Sequence, residues 1–281
     1  MLPMREILRA VMDRAASTGS ALAIWAVLLA SFASPDARSQ ARYCEAVTTG
    51  RAELVEFTSL LGNGDRVRVM GVLQSPAGDG KFPALLMLHG HGGVLPARCY
   101  GPAMDSFTNW GYVTLLIDSE SQTDQAGTQL TEYTTTEQAH HTRAAAAFLA
   151  LLPNVSAARI GLVGWSTGGL SAIKAIASPE LQERSDAPIR AAVGIYPICP
   201  TNNARLHAPL LILIGGKDTV TPASSCQRLK DAVLTDNLEL VIYPNAGHGF
   251  DAPSFSTYRP SEREDAFERI RRHFETNLAA E

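Results

Sequence analysis

The chain has 281 residues, 46% of them hydrophobic, and its 24 Lys and Arg against 28 Asp and Glu give a formal charge of −4. That much apolar sequence can bury a large core in one domain. The basic residues are scattered, so they form no stripe for a phosphate backbone, and nucleic acid is excluded as a partner.

The first forty residues read differently from the rest. Arg5, Arg9 and Arg14 precede an uncharged apolar run from Ala21 to Ala33. The run is short for a bilayer crossing but fits the apolar region of a signal peptide, and a small-x-small site, Ser39-Gln40-Ala41, follows. The expected organisation is therefore a signal peptide over 1–41 and a single domain over 42–281, exported to the periplasm or secreted, with no membrane attachment after cleavage. Cleavage would leave 20 basic and 25 acidic residues, a charge of −5. The competing reading is an uncleaved anchor or an ordinary N-terminal helix, because the basic region is long and carries Glu6 and Asp13.

Two strand-like runs open the domain, Leu54–Leu60 and Val67–Gln74, and Gly62-Asn63-Gly64 between them predicts a hairpin. Short, nearly continuous apolar runs follow at Ala84–Leu88, Tyr112–Ile117, Ile160–Val163, Ala191–Tyr196, Leu210–Ile214 and Leu238–Tyr243. Runs without alternation are expected of strands covered on both faces of a parallel sheet. Helical stretches fall between them: Glu137–Leu152 ahead of Pro153, Thr167–Ala177 ahead of Pro179, Pro222–Leu234 after Thr221, and Glu262–Leu278. The predicted class is α/β, an open, doubly wound, mostly parallel sheet whose N-terminal hairpin forms an antiparallel edge. Four cysteines lie beyond residue 41. The expected disulfides are Cys199–Cys226, each just past a strand end, and by elimination Cys44–Cys99; four reduced, buried thiols are the alternative.

Directly after the run Ile160–Val163 stands Gly164-Trp165-Ser166-Thr167-Gly168-Gly169, followed by a helix. This is Gly-x-Ser-x-Gly in a strand-turn-helix context, where a tight turn leaves little room for side chains two positions either side of the nucleophile. It lifts the Ser166 hydroxyl above the sheet and aims a helix N-terminus at any anion formed there. A serine needs a base, and the base an orienting acid, so the elbow predicts an acid and a His further along the chain. Asp218 follows Leu210–Ile214 through Gly215-Gly216-Lys217, and His248 follows Leu238–Tyr243 through Pro244-Asn245-Ala246-Gly247. Ligand-facing loops of open α/β sheets gather at the carboxyl ends of strands, which brings the three together. Asp218 could instead cap the helix after it, Asp251 is a rival acid, and His248 could be a turn residue between glycines.

After Ala84–Leu88 comes His89-Gly90-His91-Gly92-Gly93, a loop whose backbone N–H groups can point inward. The N–H groups of Thr167 and His91 are the expected oxyanion donors. Two imidazoles on a glycine loop, without a Cys or carboxylate nearby, are weak evidence for zinc, and no metal is expected. His140-His141 reads as a helix-surface feature. Trp165 is placed beside the acyl group of a substrate, and the polar loop from Ser119 to Tyr133 is long enough to cover the cleft; Arg98 and Arg143 are candidates to meet a substrate carboxylate, although surface Arg is the commoner explanation.

The stretches Leu88–Gly93, Arg159–Gly169, Leu211–Asp218 and Tyr243–Phe250 resemble the dienelactone hydrolase family of α/β hydrolases, over roughly Phe82 to Phe274. The resemblance implies Asp218 as acid and His248 as base, the assignment already reached from strand ends. Dienelactone hydrolases proper carry Cys where this chain has Ser166, and a hydroxyl needs stronger base assistance than a thiol. The expected function is thus hydrolysis of a small-molecule carboxylic ester through an acyl-enzyme, with no cofactor. Secreted polyester hydrolases are similar in the elbow and in Asp218–Pro222, and peptidases of this fold are a further alternative. A catalytically dead binding protein on the same fold is the alternative of another class.

Overall fold

The computed structural model describes residues 52–94, 100–130, 133–179, 187–200 and 205–279. The expected signal segment, Cys44, Cys99 and Arg98 lie outside the described residues.

Eight strands form one sheet: β1 (Glu53–Leu60), β2 (Arg66–Gln74), β3 (Phe82–Leu88), β4 (Val113–Thr123), β5 (Val155–Trp165), β6 (Ile189–Ile195), β7 (Leu210–Gly215) and β8 (Leu238–Tyr243). Their spatial order is β1-β2-β4-β3-β5-β6-β7-β8. The pairs β1–β2 and β2–β4 are antiparallel, and every pair from β4–β3 onward is parallel. The hairpin read from Gly62-Asn63-Gly64 is thus the antiparallel edge of a doubly wound sheet.

Five described helices complete the layers: α1 (Gly101–Asn109), α2 (Thr135–Ala150), α3 (Thr167–Ala177), α4 (Ala223–Ala232) and α5 (Pro260–Asn277). The apolar strands are what the helices cover. Ala84 to Leu88 of β3 and Leu210 to Ile214 of β7 are buried almost without remainder, as a central parallel strand requires. Helices α2 and α3 pack on each other. Helices α1 and α5 meet through Phe107, Trp110 and Phe267, whose ring centroids lie 5.2 to 6.1 Å apart. Burying an aromatic such as Phe107 contributes about 1.5–3 kcal/mol relative to leaving it in water.

Three elements depart from the sequence-based expectation. Helix α2 begins at Thr135 rather than Glu137, because Thr134 and Glu137 close a reciprocal capping box: the Thr134 hydroxyl accepts the Glu137 N–H, and the Glu137 carboxylate accepts the Thr134 N–H. Strand β4 continues past Ile117 into the polar Asp118–Thr123, so the first part of the segment read as a cleft-covering loop is strand. Its polar side chains are partnered inside; Asp118, for example, accepts the Glu120 N–H and the Ser121 hydroxyl. Helix α1 was not anticipated.

Candidate active site

The elbow explains its own glycines. Ser166 stands between β5 and α3 with φ 54° and ψ −115°, a conformation that an L-residue holds only when its surroundings impose it. Its N–H donates to the Ile195 carbonyl at 3.0 Å, and its carbonyl accepts from Leu170 and Ile198. A Cβ on Gly164 would sit 2.2 Å from the Gly168 carbonyl oxygen, and one on Gly168 would sit 2.4 Å from that of Leu88. Both neighbours are backbone and cannot swing aside, so the turn admits glycine alone at these positions.

Asp218 and His248 come together from the ends of β7 and β8. Asp218 Oδ2 lies 2.8 Å from His248 Nδ1. The carboxylate also accepts the N–H groups of Val220 and Thr221 at 2.9 and 2.8 Å on Oδ1, and the Thr221 hydroxyl at 2.8 Å on Oδ2. Burial by itself raises the carboxyl pKa, but the hydrogen bonds from His248 and Thr221 outweigh it and hold Asp218 below the usual carboxylate range. A carboxylate at Nδ1 leaves Nε2 as the imidazole atom available for proton transfer.

Asp251, the rival acid, is committed elsewhere. It is buried, and it accepts the Trp165 indole N–H on Oδ2 at 2.8 Å and the Tyr196 hydroxyl on Oδ1 at 2.7 Å. Burial pushes its pKa up, and these two donors only partly offset that. Trp165 is correspondingly packed: 3% exposed, with its ring 4.9 Å from that of Tyr100. The position expected beside the acyl group is therefore filled by an inward-facing side chain with little surface left for substrate.

The loop after β3 lies against the elbow. A Cβ on Gly90 would meet the Trp165 carbonyl at 3.1 Å and the Ser166 Cβ at 3.3 Å. The Gly90 N–H donates to the Tyr100 hydroxyl at 2.9 Å. His89 is fully buried, and its Nε2 accepts the Ser119 N–H at 3.1 Å, so the ring proton sits on Nδ1, where it donates to the Gly90 carbonyl at 2.8 Å. His91 is exposed. His141 overturns the surface reading of the His140-His141 pair: it is fully buried on α2, with Nδ1 3.1 Å from the Ser119 hydroxyl. Among the described residues no group of three or more His, Cys, Asp or Glu is placed to hold a metal ion.

Three participants escaped the sequence reading. Thr221 was read only as the residue before a helix, though it stands three residues after Asp218, the spacing at which a capping side chain accepts a backbone N–H. Tyr196 has φ 38° and its ring centroid lies 4.6 Å from that of His248; its place directly after β6 was the available signal. His89 was read as part of a glycine loop, not for its ring. The disulfide Cys199–Cys226 joins the segment after β6 to helix α4, which follows the Asp218 loop.

A solved structure described as a dienelactone hydrolase from Klebsiella pneumoniae superposes with a TM-score of 0.61 at 20% identity, over 79% of this chain and 98% of that one. A dienelactone hydrolase-like promiscuous phosphotriesterase from metagenomic libraries gives 0.63 at 14%, over 82% and 100%, and a puromycin hydrolase 0.64 at 18%, over 82% and 40%. At such identities these establish the fold. In sequence, a presumed carboxymethylenebutenolidase of Methylorubrum extorquens is 30% identical over 138 residues, 47% of each chain. One from Escherichia coli K12 is 36% identical over 67 residues, 23% of this chain and 25% of that protein. The matches thus span from a quarter to about half the length of these relatives. The family model of the dienelactone hydrolases, by contrast, matches residues 69–278, which contain every site residue described above, and the chain belongs to the dienelactone hydrolase family.

Proposed function

We propose that this hydrolase cleaves carboxylic esters through an acyl-enzyme on Ser166, with His248 as general base and Asp218 as the acid that orients it. The observation that carries the reading is the 2.8 Å contact between His248 Nδ1 and Asp218 Oδ2, with Tyr196, whose ring lies against His248, next in the chain to Ile195, whose carbonyl accepts the Ser166 N–H. His248 Nε2 takes the proton as Ser166 Oγ attacks the ester carbonyl, and returns it to the departing alcohol; water then releases the acid by the same path. No step calls for a cofactor.

The oxyanion is assigned to the N–H groups of Thr167 and His91. Thr167 opens α3, where unpaired N–H groups and the helix dipole favour negative charge. Support for His91 comes from its peptide bond. The Gly90 carbonyl is drawn inward by buried His89, and in a trans peptide the His91 N–H points the opposite way, away from that ring. Removal of one such donor costs about 10²–10³ in rate in comparable sites.

The substrate side is read from exposed apolar residues close to the triad. Val220 is 66% exposed within the Asp218 loop, Ile198 donates its N–H to the Ser166 carbonyl, and Phe255 packs where a Cβ on Gly249 would lie. These favour esters with an apolar acyl or alcohol part. The Arg-flanked apolar N-terminal run and the Cys199–Cys226 disulfide support a periplasmic or secreted location.

Short- and medium-chain aryl esters test the reading. Wild type should turn over with an initial burst, and a fluorophosphonate should label Ser166. Ser166→Ala should lose roughly 10⁴-fold or more in kcat. Equal rates for the two proteins would end the proposal.

A further inference from the structure

Resting on that reading of Ser166 and His248, we infer that Asp251 is a positioning residue that holds the nucleophile elbow and the histidine loop in register. Three segments, far apart in sequence, meet at its carboxylate. Trp165, bound through its indole, immediately precedes Ser166. Tyr196, bound through its hydroxyl, lies against the His248 ring and directly follows Ile195, whose carbonyl accepts the Ser166 N–H. Asp251 itself stands three residues after His248.

A displacement of any one segment is therefore felt by the other two. Tyr196 shows the constraint most directly. Its φ of 38° is unusual for an aromatic residue, and such a conformation persists only where neighbours fix it. Here its N–H is bound to Leu213 at 2.7 Å, its carbonyl lies 3.2 Å from the Thr221 hydroxyl, and its own hydroxyl reaches Asp251. A carboxylate is costly to bury, and two apolar side chains of similar volume would fill the space. What an ionisable acceptor adds is direction: two donors converge on its two oxygens at fixed angles, and bonds to such a group are shorter and stronger than those to neutral acceptors. Asp251 touches no reacting atom; it acts through Trp165 and Tyr196.

Asp251→Asn is close to isosteric but offers one acceptor oxygen and an N–H2 in place of two acceptor oxygens, so either Trp165 loses its acceptor or the Tyr196 hydroxyl must turn from donating to accepting. Rates are normalised to the sites that a fluorophosphonate titrates, which separates misplacement from loss of folded protein. The expected result is a fall of about tenfold or more in kcat per titrated site with KM within about twofold, since no substrate contact is removed. Tyr196→Phe should fall in the same direction, and the double variant should be no slower than Asp251→Asn, because both cut the same tie. Unchanged kcat per titrated site in Asp251→Asn, whatever its melting temperature, would overturn the inference. Should that variant not fold, Trp165→Phe and Tyr196→Phe each remove one donor, and wild-type kcat per site in both has the same force. Wild type that neither turns over aryl esters nor labels at Ser166 sinks the ester hydrolase reading and this inference together, whereas an active, labelled wild type with an equally fast Asp251→Asn sinks the inference alone.

Discussion

Thr221 donates twice to Asp218: its backbone N–H reaches Oδ1 and its hydroxyl reaches Oδ2, both at 2.8 Å. The same hydroxyl lies 3.3 Å from His248 Nδ1, so one short side chain touches both members of the Asp218–His248 pair. Thr221→Val keeps the shape and the backbone bond and deletes the hydroxyl. A hydrogen bond to a charged group contributes about 1.5–3 kcal/mol. The expected outcome is a kcat lower by about tenfold with KM little changed, read from steady-state ester hydrolysis.

Gly90 and Gly168 separate function from folding. A Cβ at Gly90 meets atoms at 3.1 and 3.3 Å, a crowding that a small shift of the loop relieves. Gly90→Ala should fold, melt within a few degrees of wild type, and lose about tenfold or more in kcat as the His91 N–H moves off target. A Cβ at Gly168 meets backbone oxygens of Leu88 and His89 at 2.4 and 2.5 Å. Gly168→Ala should yield little folded protein, as judged by circular dichroism and recovery from the soluble fraction.

His141 supplies a pH dependence of stability. Burial pushes its pKa down from 6.5 to about 3, with His89 and His140 nearby adding to the effect. Below pH 6.5 the unfolded chain therefore takes up a proton that the folded chain refuses. Stability from this residue is fully present above that value and is lost as pH falls toward 3, by about 1.4 kcal/mol per pH unit. Denaturant melts of wild type and His141→Gln between pH 7 and 4 should show a steeper decline for wild type; parallel curves would contradict the burial.

The Cys199–Cys226 bridge spans 27 residues of sequence. Constraining the unfolded chain over a loop of that length contributes about 3.5 kcal/mol. The Cys199→Ala/Cys226→Ala variant should be less stable by that amount, and dithiothreitol should lower the melting temperature of wild type by more than that of the variant.

The scaffold and the triad candidates were legible because they obey local rules. Continuous apolar runs marked the parallel strands, and Ser166, Asp218 and His248 each stand within five residues of the end of one. The elbow glycines were legible for the same reason, since backbone crowding allows no other residue. What escaped depends on contacts between distant segments. Asp251 stood out as an acid close to His248, but its partners, Trp165 and Tyr196, are 86 and 55 residues away. Burial of polar groups was equally hidden: Asp118 and Ser119 extend β4 with partners of their own, and buried His141 meets the Ser119 hydroxyl. Helix α1 lacks an Ala- or Leu-rich stretch, yet Pro102 in its first turn and buried Ala103, Met104 and Phe107 along one face were readable signs.

The parallel strands from β4 to β8 all run the same way, so Gly90, Ser166, Asp218 and His248 leave the sheet from one rim, while the opposite rim carries none of them. The two ends of the molecule can thus be engineered under separate rules. Turns on the idle rim are open to rigidifying exchanges that raise heat tolerance, and segments on the working rim can be traded to redirect substrate choice without disturbing the strands beneath.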